Sequence, residues 1–131
     1  MKTVIDQTPL TCEFSTFEQG KKIQLMIVGL DEAQMQAMRD IGETLPSPLK
    51  FRKDWESSPT WLQSSLAIAF KLRSGRYSFK IQAHSPEEAN EVEKYVGALD
   101  KAGFRLAGGN ENIRQEISKA GAALGQSGGP H

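Results

Sequence analysis

The stretch from Leu66 to His84 limits the fold more than any other, because its pairing can be written out residue by residue. Two runs of period two, Leu66 to Leu72 and Tyr77 to Ala83, flank Ser74-Gly75, a dipeptide of the kind that closes a two-residue primed turn. With Arg73 facing Arg76, the expected register sets Leu72 against Tyr77, Phe70 against Phe79, Ile68 against Ile81 and Leu66 against Ala83. The large apolar side chains then share one face. The other face carries Lys71, Arg73, Arg76 and Lys80, so this register predicts a basic hairpin surface.

The chain on either side adds helices. Leu10, Cys12 and Phe14 alternate, Glu18 to Lys21 reads as a turn, and Lys22 to Leu30 is apolar on both faces, as a central strand is. Asp31 with Gln34 three residues on is a capping box for a helix over 32–44, striped by Met35, Met38, Ile41 and Leu45. A short strand is expected over 49–53. Ser85, Pro86 and Glu88 start a second helix striped by Ala89, Val92, Tyr95, Val96 and Leu99 and stopped by Gly103. Phe104 to Ala107 reads as a last short strand, and Glu111 to about Leu124 as a short C-terminal helix with Ile113, Ile117, Ala120 and Leu124 on one side. The expected fold is therefore α+β: a mostly antiparallel sheet built from two hairpin-helix (ββα) units, helices on one face, and the C-terminal helix. Shifting the first unit by 54 residues brings it into phase with the second, though any two units with these periodicities would align as well.

At 131 residues the chain is expected to form one domain over 1–124, followed by a flexible Gly-rich tail over 125–131. No run reaches the length of a membrane span and MKTVIDQTPL lacks the apolar core of a signal peptide, so a cytoplasmic protein without membrane contact is expected. The single cysteine forbids an internal disulfide. Sixteen basic and sixteen acidic residues balance, but residues 50 to 80 hold seven cations against two carboxylates.

Site chemistry is thin, and no motif names a reaction. Cys12 and His84 read as a small core residue and a strand-end polar residue rather than a thiol-imidazole pair, and one cysteine with two histidines makes no zinc set. Glu87, Glu88, Glu91 and Glu93 complement a helix start. Gly108-Gly109-Asn110 lacks the Lys-Ser/Thr ending of a phosphate loop and reads as a plain loop with an Asn cap. No catalytic residue, cofactor or metal is assigned. The expectation leans away from an enzyme and toward a binding module.

Its candidate site joins Lys71, Arg73, Arg76 and Lys80 of the hairpin to an aromatic-basic loop holding Arg52, Lys53, Trp55 and Trp61. Cations neutralise phosphates and exposed rings stack on unpaired bases, which points to single-stranded nucleic acid. Two features weigh against it: the hairpin aromatics fall on the apolar face in this register, and the tryptophans read slightly better as a lid over the core, since exposed tryptophan is uncommon. The alternative is a protein-binding adaptor or inhibitor, meeting an acidic partner through the same cations or self-associating as a homodimer through the stripe of the C-terminal helix.

Overall fold

The computed structural model of the protein describes residues 9–46, 51–53 and 67–127, with the backbone alone described for 51–53 and 125–127. Strands β1 (Thr11–Phe17) and β2 (Lys22–Leu30) lead into helix α1 (Glu32–Glu43). Strands β3 (Phe51–Lys53), β4 (Ala67–Lys71) and β5 (Tyr77–Ala83) precede α2 (Pro86–Lys101), and α3 (Asn110–Ser127) follows. One sheet runs in the order β1-β2-β5-β4-β3. Its first four strands are antiparallel to their neighbours, while β3 pairs parallel to β4. Among the described residues the fold is thus α+β, with an antiparallel four-stranded body, a short parallel edge strand and three helices.

Local chemistry starts the first two helices where the residue order predicts. Asp31 accepts from the Gln34 N–H while the Gln34 side chain accepts from the Asp31 N–H, and the Ser85 hydroxyl accepts from the Glu88 N–H ahead of Pro86. Gly103, at φ 96°, ends α2, and the Phe104 N–H reaches back to the Leu99 carbonyl. All three helices pack on one side of the sheet. Ile23, Leu25 and Ile27 from β2 and Tyr77, Phe79 and Ile81 from β5 meet Met35, Met38, Val92, Tyr95, Leu99, Ile113 and Ile117 in a single core.

The hairpin register differs from the expected one by a single residue. Ala67 pairs with Ile81, Ala69 with Phe79, Phe70 with Ser78 and Lys71 with Tyr77. Leu72 and Arg76 close the loop, so Arg73, Ser74 and Gly75 form a three-residue turn with Gly75 at φ 90°. That is the arrangement in which a type I turn is followed by a left-handed residue, which glycine adopts without strain. Because side chains alternate, the extra loop residue reverses which side of β4 faces the helices. Ala67 and Ala69 lie fully buried under them, and Ile68 and Phe70 point the other way, half-buried. Tyr95 is fully buried in the same core, and its hydroxyl donates to the Met38 carbonyl at 2.8 Å.

A second irregularity lies on β2. Between the Ile27–Phe79 and Leu30–Tyr77 pairs β2 spends one residue more than β5, with Gly29 at φ 77°. This bulge turns Leu30 into the core instead of leaving it on the opposite face with Met26 and Val28, and the freed Gly29 carbonyl accepts from the Arg76 guanidinium at 3.2 Å. The strand expected over Phe104 to Ala107 reduces to one parallel bridge, Leu10 to Leu106. Helix α3 runs to Ser127, three residues into the stretch expected as a tail. No described helix is long and apolar enough to cross a membrane.

Candidate nucleic-acid interface

The two layers carry opposite charge. Helices α1 to α3 hold ten carboxylates against five cations, whereas the strands hold Lys22, Arg52, Lys53, Lys71 and Lys80 against Glu13 alone. A chain of zero net charge is therefore acidic in its helical layer and basic in its sheet.

Within the sheet the cations expected to share one hairpin face are separated. Lys71 stands on the helix side, its ammonium 5.8 Å from the centroid of the Tyr77 ring, while Lys80 lies on the helix-free side opposite Met26 and Ile68. Arg73 is exposed in the turn, and Arg76 is held at the bulge by Gly29. The four residues make no common patch, for the same reason that Phe70 changed sides. Arg52 and Lys53 sit on β3 in register with Ile68 and Ala69. Trp55 and Trp61 lie outside the described residues.

The helix-free face instead brings together residues from four strands. Phe17, at 40% exposure the largest exposed apolar side chain described, packs beside Lys22, whose ammonium is 5.3 Å from its ring centroid and 3.6 Å from the Glu18 carboxylate. Next along β2, Gln24 accepts from the Gln82 side-chain amide at 2.9 Å, joining β2 to β5 across the middle of the face. Lys80, Met26, Ile68 and Phe70 continue it, and Ser78, opposite Phe70, is fully buried with its hydroxyl unpaired. Partly exposed rings beside cations and amides on a sheet face can stack on bases and contact phosphates. Phe17, Lys22 and Phe70 were missed as site residues. The signal that could have found Phe70 is Gly75, which suits the left-handed third position of a three-residue loop.

Elsewhere the chemistry is structural. Burial, followed by the charges of Glu116 and Glu13, pushes the Cys12 thiol up to about 12, so it is neutral and unreactive at ordinary pH. His84 lies past the end of β5 beside Glu88, 3.7 Å away, and Cys12 pairs with Ile27 toward the other end of β2, so the two never meet. Asn110 is occupied as a clasp: its amide donates to Asp100 and the Phe104 carbonyl and its oxygen accepts from the Leu106 N–H. The cavity of about 400 Å³ beside it is lined by Asp100 and Glu111 as well as Arg105 and Arg114, a mixed lining for an anion. No group of three metal-ligating side chains occurs among the described residues. The α3 stripe of Ile113, Ile117 and Leu124, expected as a partner surface, is buried in the protein's own core. Comparison with family models, with curated proteins and with solved structures returns no match.

Proposed function

We propose that the protein is a non-enzymatic module that binds single-stranded nucleic acid on the helix-free face of its sheet. The observation that carries this reading is the separation of charge by layer, with Lys22 and Lys80 placed on the face turned away from the helices, where Glu13 is the one strand carboxylate among the described residues. On that face Lys22 and Lys80, with Arg76 at its rim, meet phosphates, and Phe17 and Phe70 offer rings to unstacked bases. Strand β3, which carries Arg52 and Lys53, adjoins β4, and Arg52, Lys53, Trp55 and Trp61 are further candidates for nucleic-acid contact.

The test is a salt titration of a labelled single-stranded oligonucleotide. Three phosphate contacts give a slope of about 2 in the logarithm of the binding constant against the logarithm of salt, at roughly 0.7 per contact on single strands. Lys80→Gln is expected to lower that slope by about 0.7, while Lys71→Gln, on the opposite side of the sheet, leaves it unchanged. Phe17→Ala is expected to cost about 1–3 kcal/mol of binding if its ring stacks on a base, with little change in stability at so exposed a site. Tryptophan emission reports on the adjoining segment in the same titration. Equal effects of Lys71→Gln and Lys80→Gln, or no binding at low salt, overturns the proposal.

A further inference from the structure

Strand β1 ends the sheet, and the direction of its backbone groups follows from hydrogen bonds elsewhere. The Leu72 N–H donates to the Arg76 carbonyl, so even-numbered residues of β5 point to β4 and odd-numbered ones to β2. Carried through the observed pairings, Thr11, Glu13, Ser15 and Phe17 bond to β2, and Leu10, Cys12, Phe14 and Thr16 turn their N–H and C=O groups outward. Leu10 bears this out. Its N–H donates to the Arg105 carbonyl and its carbonyl accepts from the Ala107 N–H, both at 2.8 Å, on the outer side of the strand. Among the described residues nothing bonds the three outward N–H and three outward C=O groups of Cys12, Phe14 and Thr16.

We infer that this edge pairs with the same edge of a second copy, about a two-fold axis at Phe14. In that register Phe14 meets Phe14, Cys12 meets Thr16 of the second copy and Thr16 meets its Cys12, so all six outward groups are satisfied together. The length also fits. A longer partner strand would meet the Arg105 to Ala107 segment opposite Leu10, and the strand it would need ends at its own turn, where Glu18 and Gln19 take positive φ. Glu13 falls opposite Ser15, so no like charges oppose one another along the ladder.

The helical side of the edge has matching chemistry. A groove of about 340 Å³ between β1 and α3 is lined by Phe14, Thr16, Ala120 and Ala123, with exposed Glu116 and Lys119 on its helical wall. Because α3 runs in the same sense as β1 there, the two-fold sets the two α3 helices antiparallel and brings Glu116 of each level with Lys119 of the other. Apolar surface is covered and opposite charges meet. The result is a ten-stranded sheet with one continuous helix-free face. This inference stands apart from nucleic-acid binding and is tested without it.

Light scattering on a sizing column is expected to give a dimer for the full chain. Thr16→Pro removes one outward N–H without touching a bond to β2, and is expected to give a folded monomer with unchanged circular dichroism. Glu116→Lys and Lys119→Glu are each expected to weaken the dimer about tenfold, and the two together to restore it. Amide exchange at Cys12, Phe14 and Thr16 is expected to slow as concentration rises. A monomeric wild type, a dimer indifferent to Thr16→Pro, or a double charge reversal no better than either single one overturns the proposal.

Discussion

Cys12 faces the helices on β1, and its surroundings hold the thiol in its neutral form: burial acts first, then the negative charges of Glu116 and Glu13. Unfolded, the thiol would ionise near its ordinary value of 9.0; folded, it holds its proton to about 12. A raised acid pKa contributes stability that is complete below pH 9 and is lost as the pH climbs toward 12. Burial raises the Tyr95 hydroxyl in the same direction. Thermal melts are therefore expected to fall on the alkaline side, and Cys12→Ala to flatten part of that fall. Iodoacetamide is expected to label Cys12 in the native protein at pH 8 far more slowly than in denaturant.

Helices α2 and α3 pack antiparallel, Gly97 against the Arg114 guanidinium and Ala89 against Gly121. A side chain at Gly121 would place its Cβ 2.6 Å from that of Ala89, which is itself buried. Gly121→Ala improves intrinsic helix propensity by about 1 kcal/mol, yet is expected to destabilise by about 1–3 kcal/mol net, because neither backbone can withdraw from the core. Denaturant titration of Gly121→Ala alone and with Ala89→Gly checks this: the second substitution is expected to recover most of the loss. From residue order Gly121 reads only as a weakness in the last helix, since a close approach between helices leaves no mark on one sequence. The capping residues of α1 and α2, the stripe from Ala89 to Leu99 and both hairpins were legible because each depends on neighbours a few positions away. The side of the hairpin was not. A two-residue and a three-residue turn are both compatible with Arg73 to Arg76, the difference between them reverses β4, and the helices decide it by accepting Ala67 and Ala69 beneath them. The candidate site moved with that reversal: Lys80 stayed on the open face, Lys71 left it, and Phe70 joined it.

For the molecule as a whole, α3 is part of the core. Ile113, Ile117 and Leu124 contact residues of the sheet and of α2, so truncation before Asn110 is expected to abolish cooperative unfolding, whereas removal of 128–131 leaves the melting temperature unchanged. Circular dichroism melts of the two truncations check this. The Leu10 to Leu106 bridge has a further consequence, for the order in which the fold assembles. It joins two points with most of the chain between them, and a closure of that span carries a larger entropic penalty than either hairpin, whose ends are adjacent in sequence. The hairpins and their helices therefore form early and the bridge late. The outermost strand is latched by the segment just ahead of α3 only after both have docked, so a nascent chain presents the outward side of β1 unlatched until nearly all of it has been made.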